Sequence, residues 1–506
     1  MTNISRRDFL KLASVFTAGA LGHSMLNVGN QSDRSNIIII LFDALSAKNM
    51  SLYGYARETT PNMSRFAERA TVYHNYYSAG NFTIPGTASM LTGMLPWTHR
   101  AFNQGGLIKR DLIPNNMFSL LGSEYYRLMF SQNIWPDRLV SQAYEDVDRF
   151  LPPTAYSLRG NKLFSDKVGK DRYLASIAFE DFLFTLNSDV MGSSLLGYLY
   201  KSIAVESILK TRDHPWYPRG VPEVEGFTPY INEYVYEGVY RELQKLDANK
   251  APYFSYFHLF SPHSPYKPGR KYWKLFEDDG FQILPKPLHP FGSKLSDDTL
   301  LSKRLLYDQQ IAHVDAELGV LLDKLDADGI LDNSYIILTS DHGELFERGF
   351  FGHGGVLLYE PVIKIPLLIS APGQINRQDI YTPSSNTDLL PTLLSIAGKL
   401  IPDVLDGEIL SGFGGDDAKE RALFSMYSVE NPANRPLTKA AIAMHKGVYK
   451  LIAYYGYPGY DDVYEFYNLE DDPEELHNLS SENATTFTRL KEELLDTLAD
   501  ANRPFE

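Results

Sequence analysis

N-I-I-I-I-L-F-D, residues 36–43, is an apolar run that stops at a carboxylate. Four consecutive isoleucines favour a strand, because β-branched side chains fit a pleated surface better than a helix. No polar residue alternates with them, so both faces of this strand are buried, as in a parallel sheet covered by helices. The run is far too short to cross a bilayer. Similar runs recur from Tyr253 to Phe260, from Tyr335 to Ser340 and from Ile365 to Ser370, and Thr71 to Tyr77 reads as a further strand. Helical spacing appears between them, at Pro61 to Ala70, Pro85 to Thr92 and Ser302 to Leu325. Strands alternating with helices predict an α/β layered fold with a central, largely parallel or mixed sheet between helices. In such sheets sites form beyond the carboxyl ends of the strands. Asp43, His263, Asp341 and His342 all fall at such ends.

The chain has 506 residues, 44% of them hydrophobic, which is enough for a large buried core. Its net charge of −15 argues against nucleic acid as a partner, since phosphate backbones need basic patches. It contains no cysteine, which excludes disulfides, thiolate catalysis and cysteine-held zinc. Ser5-Arg6-Arg7-Asp8-Phe9-Leu10-Lys11 matches a twin-arginine export pattern, followed by a weakly apolar run and small residues near Ala20-Leu21-Gly22. Loss of residues 1–22 would remove Arg6, Arg7, Lys11 and Asp8, a net +2, taking the charge to −17. The expected mature protein is periplasmic or extracellular, with no transmembrane segment. Residues 23–34 read as a linker, 35–425 as the main domain and 426–506 as a small C-terminal α+β subdomain. The latter has strands at Ala440 to His445, Tyr449 to Tyr455 and Val463 to Leu469, and a helix from about Thr486 to Leu498. Residues 100–250 are aromatic-rich and irregular, with a helical piece at Leu195 to Leu209, and read as insertions decorating the core.

Asp341-His342-Gly343-Glu344 follows a buried strand. A carboxylate and an imidazole there, with Asp43 at a second strand end, suit a divalent metal, and the imidazole favours Zn or Mn over Ca. Thr83 lies in N-F-T-I-P-G-T-A-S-M-L-T-G, residues 81–93, ahead of a helix whose N-terminus favours anions. A threonine there is commonly an N-cap. Beside a metal its hydroxyl is instead a candidate nucleophile. His263 in S-P-H-S-P-Y-K-P and His353 in F-G-H-G-G lie on loops and are candidates to bind transferring oxygens or protonate a leaving group. His258, within a strand, reads as a packed, hydrogen-bonded histidine. Lys267, Arg270 and Lys364 read equally as cations for an anionic substrate or as solvated surface charges.

These pieces, with L-Y-G-Y-A-R-E-T-T-P-N-M, I-I-L-T-S-D-H-G-E, G-H-G-G-V-L-L-Y-E-P, T-D-L-L-P-T-L-L and Y-N-L-E-D-D-P-E-E-L-H-N-L, resemble the sulfatase branch of the alkaline phosphatase superfamily in order and spacing. The resemblance implies an alkaline-phosphatase-like layered fold with a smaller C-terminal subdomain. It places Asp43, Asp341 and His342 at metal-ligand positions, Thr83 at the nucleophile position, and His263 and His353 against the transferring group. The chain also departs from that pattern. Sulfatases carry a Cys or Ser that is oxidised to formylglycine, and a threonine cannot give that aldehyde. Thr87 stands where their motif has an arginine, Ala44 where they have a second aspartate, and His342 where they have an asparagine. The departures point to a phosphate-ester hydrolase or transferase with a threonine nucleophile, without formylglycine. Two alternatives stay open: a sulfuric ester hydrolase lacking formylglycine, and a non-catalytic member that binds anionic glycans or lipids.

Overall fold

The computed structural model describes residues 34–158, 215–224, 228–460 and 463–506. The export segment, most of the expected linker and the helix expected from Leu195 to Leu209 lie outside the described residues. The central sheet has eight strands. They are β1 (Asn36–Phe42), β2 (Thr71–Tyr73), β3 (Tyr126–Ser131), β4 (Arg149–Leu151), β5 (Tyr253–Leu259), β6 (Ser334–Ser340), β7 (Leu367–Ser370) and β8 (Gln378–Ile380). Their order across the sheet is β8-β2-β7-β6-β1-β5-β3-β4. From β6 to β4 all neighbours are parallel, while β7 runs antiparallel to both β6 and β2. The sheet is therefore mixed, with a parallel block at its centre.

β1 lies in the middle of that block, and every residue of it is buried. Alternation along the strand separates two cores. Ile38, Ile40 and Phe42 pack with Ile311, Val314 and Leu318 of α4 (Asp297–Ala327) and with α3 (Asn232–Ala248). Ile37, Ile39 and Leu41 face α2 (Thr83–Thr92) and α5 (Leu389–Ile396) on the other side. Burying each such side chain is worth about 2 kcal/mol relative to exposure. The hydrophobic effect thus fixes which sheet face carries α2, and with it Thr83. On the opposite face, α1 (Pro61–Ala67) sits beside α4. Asp315 of α4 accepts the free backbone N–H groups of Asn62 and Met63, each at 2.8 Å, so it caps α1 from a neighbouring helix.

Part of the 100–250 stretch, expected to decorate the core, instead supplies strands β3 and β4 of the central sheet. The physical reason is Arg127. It lies inside the strand Y-R-L-M-F-S and breaks its apolar pattern, yet it is buried because Asp148 holds its Nε at 2.9 Å.

A second sheet near the C-terminus runs β9 (Leu423–Tyr427), β10 (Ala440–Lys446), β11 (Tyr449–Tyr455) and β12 (Tyr464–Asn468), all antiparallel. Helix α6 (Ala484–Asn502) covers one face of it through Leu490, Leu494 and Leu498. β9, which the sequence reading leaves unassigned, joins this sheet to the turn before α2. Met426 N–H donates to Ala79 O at 2.9 Å and Ser425 Oγ donates to Ser78 O at 2.6 Å. Buried charge ties the same units together. Lys450 of β11 reaches Glu475 at 2.6 Å and Glu360 at 3.1 Å, and Glu360 N–H donates to Glu475 at 2.9 Å.

Glu465 of β12 accepts hydrogen bonds from Tyr359, Tyr454 and Tyr467 at 2.6–2.7 Å and contacts His289 at 3.0 Å. Burial pushes its pKa up, but these four partners outweigh burial and bring it down to about 2. A carboxyl depressed from 4.5 to about 2 stabilises the fold above pH 4.5, and that stability is lost as the pH falls toward 2. The contribution is about 3 kcal/mol. Glu465→Gln is expected to lower stability at pH 7 and to flatten the acid loss between pH 4.5 and 2. Urea melts across that range test it, and an unchanged slope would refute the assignment.

Candidate active site

Four neighbouring parallel strands, β6, β1, β5 and β3, end on one side of the sheet. Asp341 and His342 follow β6, Asp43 follows β1, and Asn133 follows β3. Asp43, Asp341 and His342 are wholly buried, and their ligand atoms lie within 4.8 Å of one another. Each carboxylate has one oxygen tied and one free. Asp341 Oδ1 accepts the backbone N–H groups of Ala44 at 3.2 Å and His342 at 3.0 Å, while its Oδ2 has no hydrogen-bond partner. Asp43 Oδ2 accepts from Asn133 at 2.6 Å, while its Oδ1 has no partner. Ala44 holds its N–H in place from a left-handed conformation, φ 62°, which is uncommon for a residue with a Cβ.

His342 lies between the two carboxylates, its Nε2 3.5 Å from Asp43 Oδ1 and 3.7 Å from Asp341 Oδ2. Its Nδ1–H donates to Gly343 O at 2.8 Å, which leaves Nε2 for the cluster. The electrostatics follow from burying two acids. Burial works against ionised Asp43, yet His263, His258 and His342 hold its carboxyl well below the usual range. Burial raises the Asp341 carboxyl. Burial alone would lower His342, but the Asp341 and Asp43 carboxylates push it up to about 9. The two acids thus draw positive charge to this point.

The partnerless buried oxygens of Asp43 and Asp341, converging with His342 Nε2, fit a divalent cation.

Thr83 is the first residue of α2, not its N-cap; Phe82 occupies that place without a side-chain cap bond. The Thr83 hydroxyl is therefore not used for capping, and its Oγ1 lies 3.3 Å from His342 Nε2. α2 comes this close because residue 86 is glycine. A Cβ on Gly86 would meet Asp341 O at 2.3 Å. Asn386 locks the approach by donating to Gly86 O at 2.9 Å and accepting from Ala79 N–H at 3.0 Å.

Thr83, His263 and His353 line a cavity of about 320 Å³. His353 Nδ1–H donates to Glu344 at 2.8 Å, and Tyr266 holds the other Glu344 oxygen at 2.7 Å. His263 Nδ1–H donates to Ser264 O at 2.7 Å. Both rings thus keep Nε2 available for exchange with a ligand, and their centroids lie 4.9 Å apart. Phe82, Trp135 and Tyr427 form aromatic walls, and Gln104 and Asn133 add neutral polar groups. No lysine or arginine is among the described lining residues. Lys267 instead pairs with Glu223 at 3.0 Å, Arg270 donates to Pro215 O at 2.9 Å, and Lys364 donates to Asn75 at 3.2 Å. None of the three is among the described residues lining this cavity.

A family model described as Sulfatase matches residues 35–399, and one described as N-sulphoglucosamine sulphohydrolase, C-terminal, matches residues 347–503. The chain belongs to the sulfatase family. The sulfatases are metal-dependent ester hydrolases, which agrees with the donor cluster. Choline-sulfatase of Rhizobium meliloti (strain 1021) is 24% identical over 475 residues, covering 88% of this chain and 82% of that protein. N-acetylgalactosamine-6-O-sulfatase of Bacteroides thetaiotaomicron is 23% identical over 543 residues, covering 97% and 98%. Among solved structures, phosphonate monoester hydrolase of Agrobacterium radiobacter superposes with TM-score 0.68 at 20% identity, covering 92% of this chain and 96% of the other. That likeness carries the shared sulfatase-type fold. No described helix is long and apolar enough to cross a membrane.

Two groups in this sulfatase site escaped the sequence reading. Asn133 lay in the stretch that gave no strand pattern. His258 was read as a packed histidine. Its Nδ1 does meet the Tyr256 hydroxyl at 3.1 Å, but its Nε2 has no partner and lies 3.4 Å from Asp43 Oδ2. Strand alternation was the available signal. Phe254 and Tyr256 face the α2 side, and His258 follows in the same phase at the carboxyl end of β5.

Gly86→Ala is expected to cost about 1–3 kcal/mol by forcing α2 away from Asp341. Turnover of the folded variant should fall as Thr83 moves from the acids. Thermal melts and kinetics on one preparation check both effects, and an unchanged melting point would show that the contact is not tight.

Proposed function

We propose that this chain hydrolyses or transfers phosphate esters, diesters above all, through Thr83 as nucleophile. The observation that carries the reading is Thr83 Oγ1, set 3.3 Å from His342 Nε2 on a helix N-terminus at the floor of the cavity. A threonine cannot supply the aldehyde hydrate of formylglycine, so attack must come from the hydroxyl itself. Asp43, Asp341 and His342 would hold the cation. A bound divalent cation supplies a Lewis acid that lowers the pKa of a nearby hydroxyl and neutralises anionic charge.

The remaining work falls to the side chains. The Thr83 hydroxyl releases its proton to solvent, and its oxygen forms a bond to phosphorus as the bond from phosphorus to the leaving oxygen breaks. His353 or His263 gives that leaving oxygen a proton, with Glu344 orienting His353 through Nδ1. Water or an acceptor alcohol then gives a proton back to that histidine as it attacks the phosphothreonine, and the Thr83 oxygen leaves and is reprotonated from solvent. The α2 N-terminus supports the phosphoryl charge through its free N–H groups.

The lining favours a diester over a monoester dianion. Positive charge comes from the cation and a helix end, and the described walls are aromatic and neutral. A diester carries one negative charge and presents a neutral substituent to those walls. The second reading, a sulfuric ester hydrolase, draws on the family and on relatives such as choline-sulfatase. A sulfate monoester is also a monoanion, so the walls do not separate the two. The threonine does, because a sulfated alkyl alcohol lacks the hydrate oxygen that expels sulfate. The twin-arginine-like segment from Ser5 to Lys11 supports export to the periplasm or beyond.

Thr83→Ala is expected to lower kcat/KM for bis(p-nitrophenyl) phosphate by roughly 10³-fold or more, while Thr83→Ser keeps measurable activity. Full activity in the alanine variant would end the covalent mechanism. Faster turnover of p-nitrophenyl sulfate than of the diester by the wild type would favour the second reading. Trp135→Ala should raise KM for the aryl diester about tenfold and leave kcat within a few-fold, the size of one lost aromatic contact. An unchanged KM would remove Trp135 from the substrate wall.

A further inference from the structure

We infer that His258 is itself a ligand of the cation, presented by the strand next to β1. The inference rests on the metal-dependent reading above and adds a donor to it. His258 is the penultimate residue of β5, in register with Leu41 of β1 on one side and Ser131 of β3 on the other. It therefore lies between the strand ends that present Asp43 and Asn133. Its Nε2 is 3.4 Å from Asp43 Oδ2 and 3.7 Å from Asp341 Oδ2. His342 Nε2 stands at 3.5 and 3.7 Å from the same two carboxylates. The two imidazoles share the free Asp341 Oδ2 and approach Asp43 from its two sides, His342 at the free Oδ1 and His258 at the Oδ2 that also accepts from Asn133.

A hydrogen-bonded histidine does not account for this arrangement. Both His258 contacts are longer than the 2.7–3.2 Å of a made N–H···O bond, and Nε2 has no partner although the side chain is wholly buried. A buried polar atom left unpaired costs about 1–3 kcal/mol. Three such atoms, His258 Nε2, Asp43 Oδ1 and Asp341 Oδ2, occur in this one cluster. A cation among them would satisfy all three. The far side of the ring is prepared for it, because the Tyr256 hydroxyl lies 3.1 Å from Nδ1. A proton held there leaves the Nε2 lone pair free, the usual role of a group behind a metal-bound histidine.

The chemistry is consistent. Two carboxylates balance a divalent charge, and two imidazoles move the donor set from the all-oxygen shell of Ca toward Zn or Mn. Ala44, in the turn after β1, adds a backbone N–H to Asp341 Oδ1 and leaves Oδ2 facing both imidazoles.

Zinc-loaded full-length protein, studied by zinc K-edge X-ray absorption, tests the inference without a variant. Two imidazoles per zinc are expected, and one would overturn it while leaving the phosphate-ester reading intact. Failure of the wild type to retain any zinc or manganese would overturn both. His258→Gln should drop the count to one and weaken zinc by more than about 100-fold in competition with a chromophoric chelator. Tyr256→Phe should keep two imidazoles and weaken zinc about tenfold. Unchanged affinity in a folded His258→Gln protein would also refute ligation.

Discussion

Two aspartates buried side by side are the constraint on which this structure turns. Asp43 and Asp341 end neighbouring strands and are wholly buried. An ionised carboxylate without compensation is among the most costly groups to bury. The fold meets that cost by converging donors on the pair. Asn133 comes from the end of β3 and the N–H of Ala44 from the turn after β1, while the imidazoles of His258 and His342 stand close by at the ends of β5 and β6. Even so, one oxygen of each acid has no protein partner. The sheet thus builds a negative point that calls for a cation, and Thr83 is placed beside it.

Much of the architecture could be read from the chain because it follows from hydrophobic patterning. β1, β5 and β6 are largely apolar runs followed by polar side chains, and α4 has helical spacing over many turns. What could not be read was patterned by charge. β3 contains Arg127, whose burial depends on Asp148 twenty-one residues away, and no local rule links the two. β9 is short and half of its purpose is to bond the Ser78–Ala79 turn, a contact between segments more than three hundred residues apart.

The site was legible to the same degree and for the same reason. Residues placed just past apolar runs, such as Asp43, Asp341 and His342, stand out. His258 does not, because it sits inside a mostly aromatic strand, Tyr253 to Leu259. The glycines of T-I-P-G-T and D-H-G-E were visible as letters but not as geometry. Gly86 is needed where α2 meets Asp341 O, and a Cβ on Gly343 would meet Pro361 O at 2.1 Å. The L-Y-G-Y-A-R stretch also becomes intelligible as framework. Arg57 is buried between Asp308 of α4 at 2.8 Å and Asp279 at 2.7 Å, and it holds no part of the cavity.

The C-terminal sheet bears on catalysis more directly than a packed accessory would. β9 hydrogen-bonds the turn that leads into α2, and Tyr427 at its end lines the cavity above Thr83. Behind it, Glu360, Glu475 and Lys450 form a buried charged set whose members come from both parts of the chain. Removing one member would leave a buried charge unpaired, so the two parts resist separation. A side chain on the first turn of a helix is positioned only as well as the turn before it. Here that turn is held from one side by Asn386 and from the other by β9. Under the proposed mechanism a threonine, unlike a formylglycine hydrate, has a single oxygen with which to attack, so its position allows no second choice. The docking of the C-terminal sheet onto that turn would be the structural counterpart of this restriction.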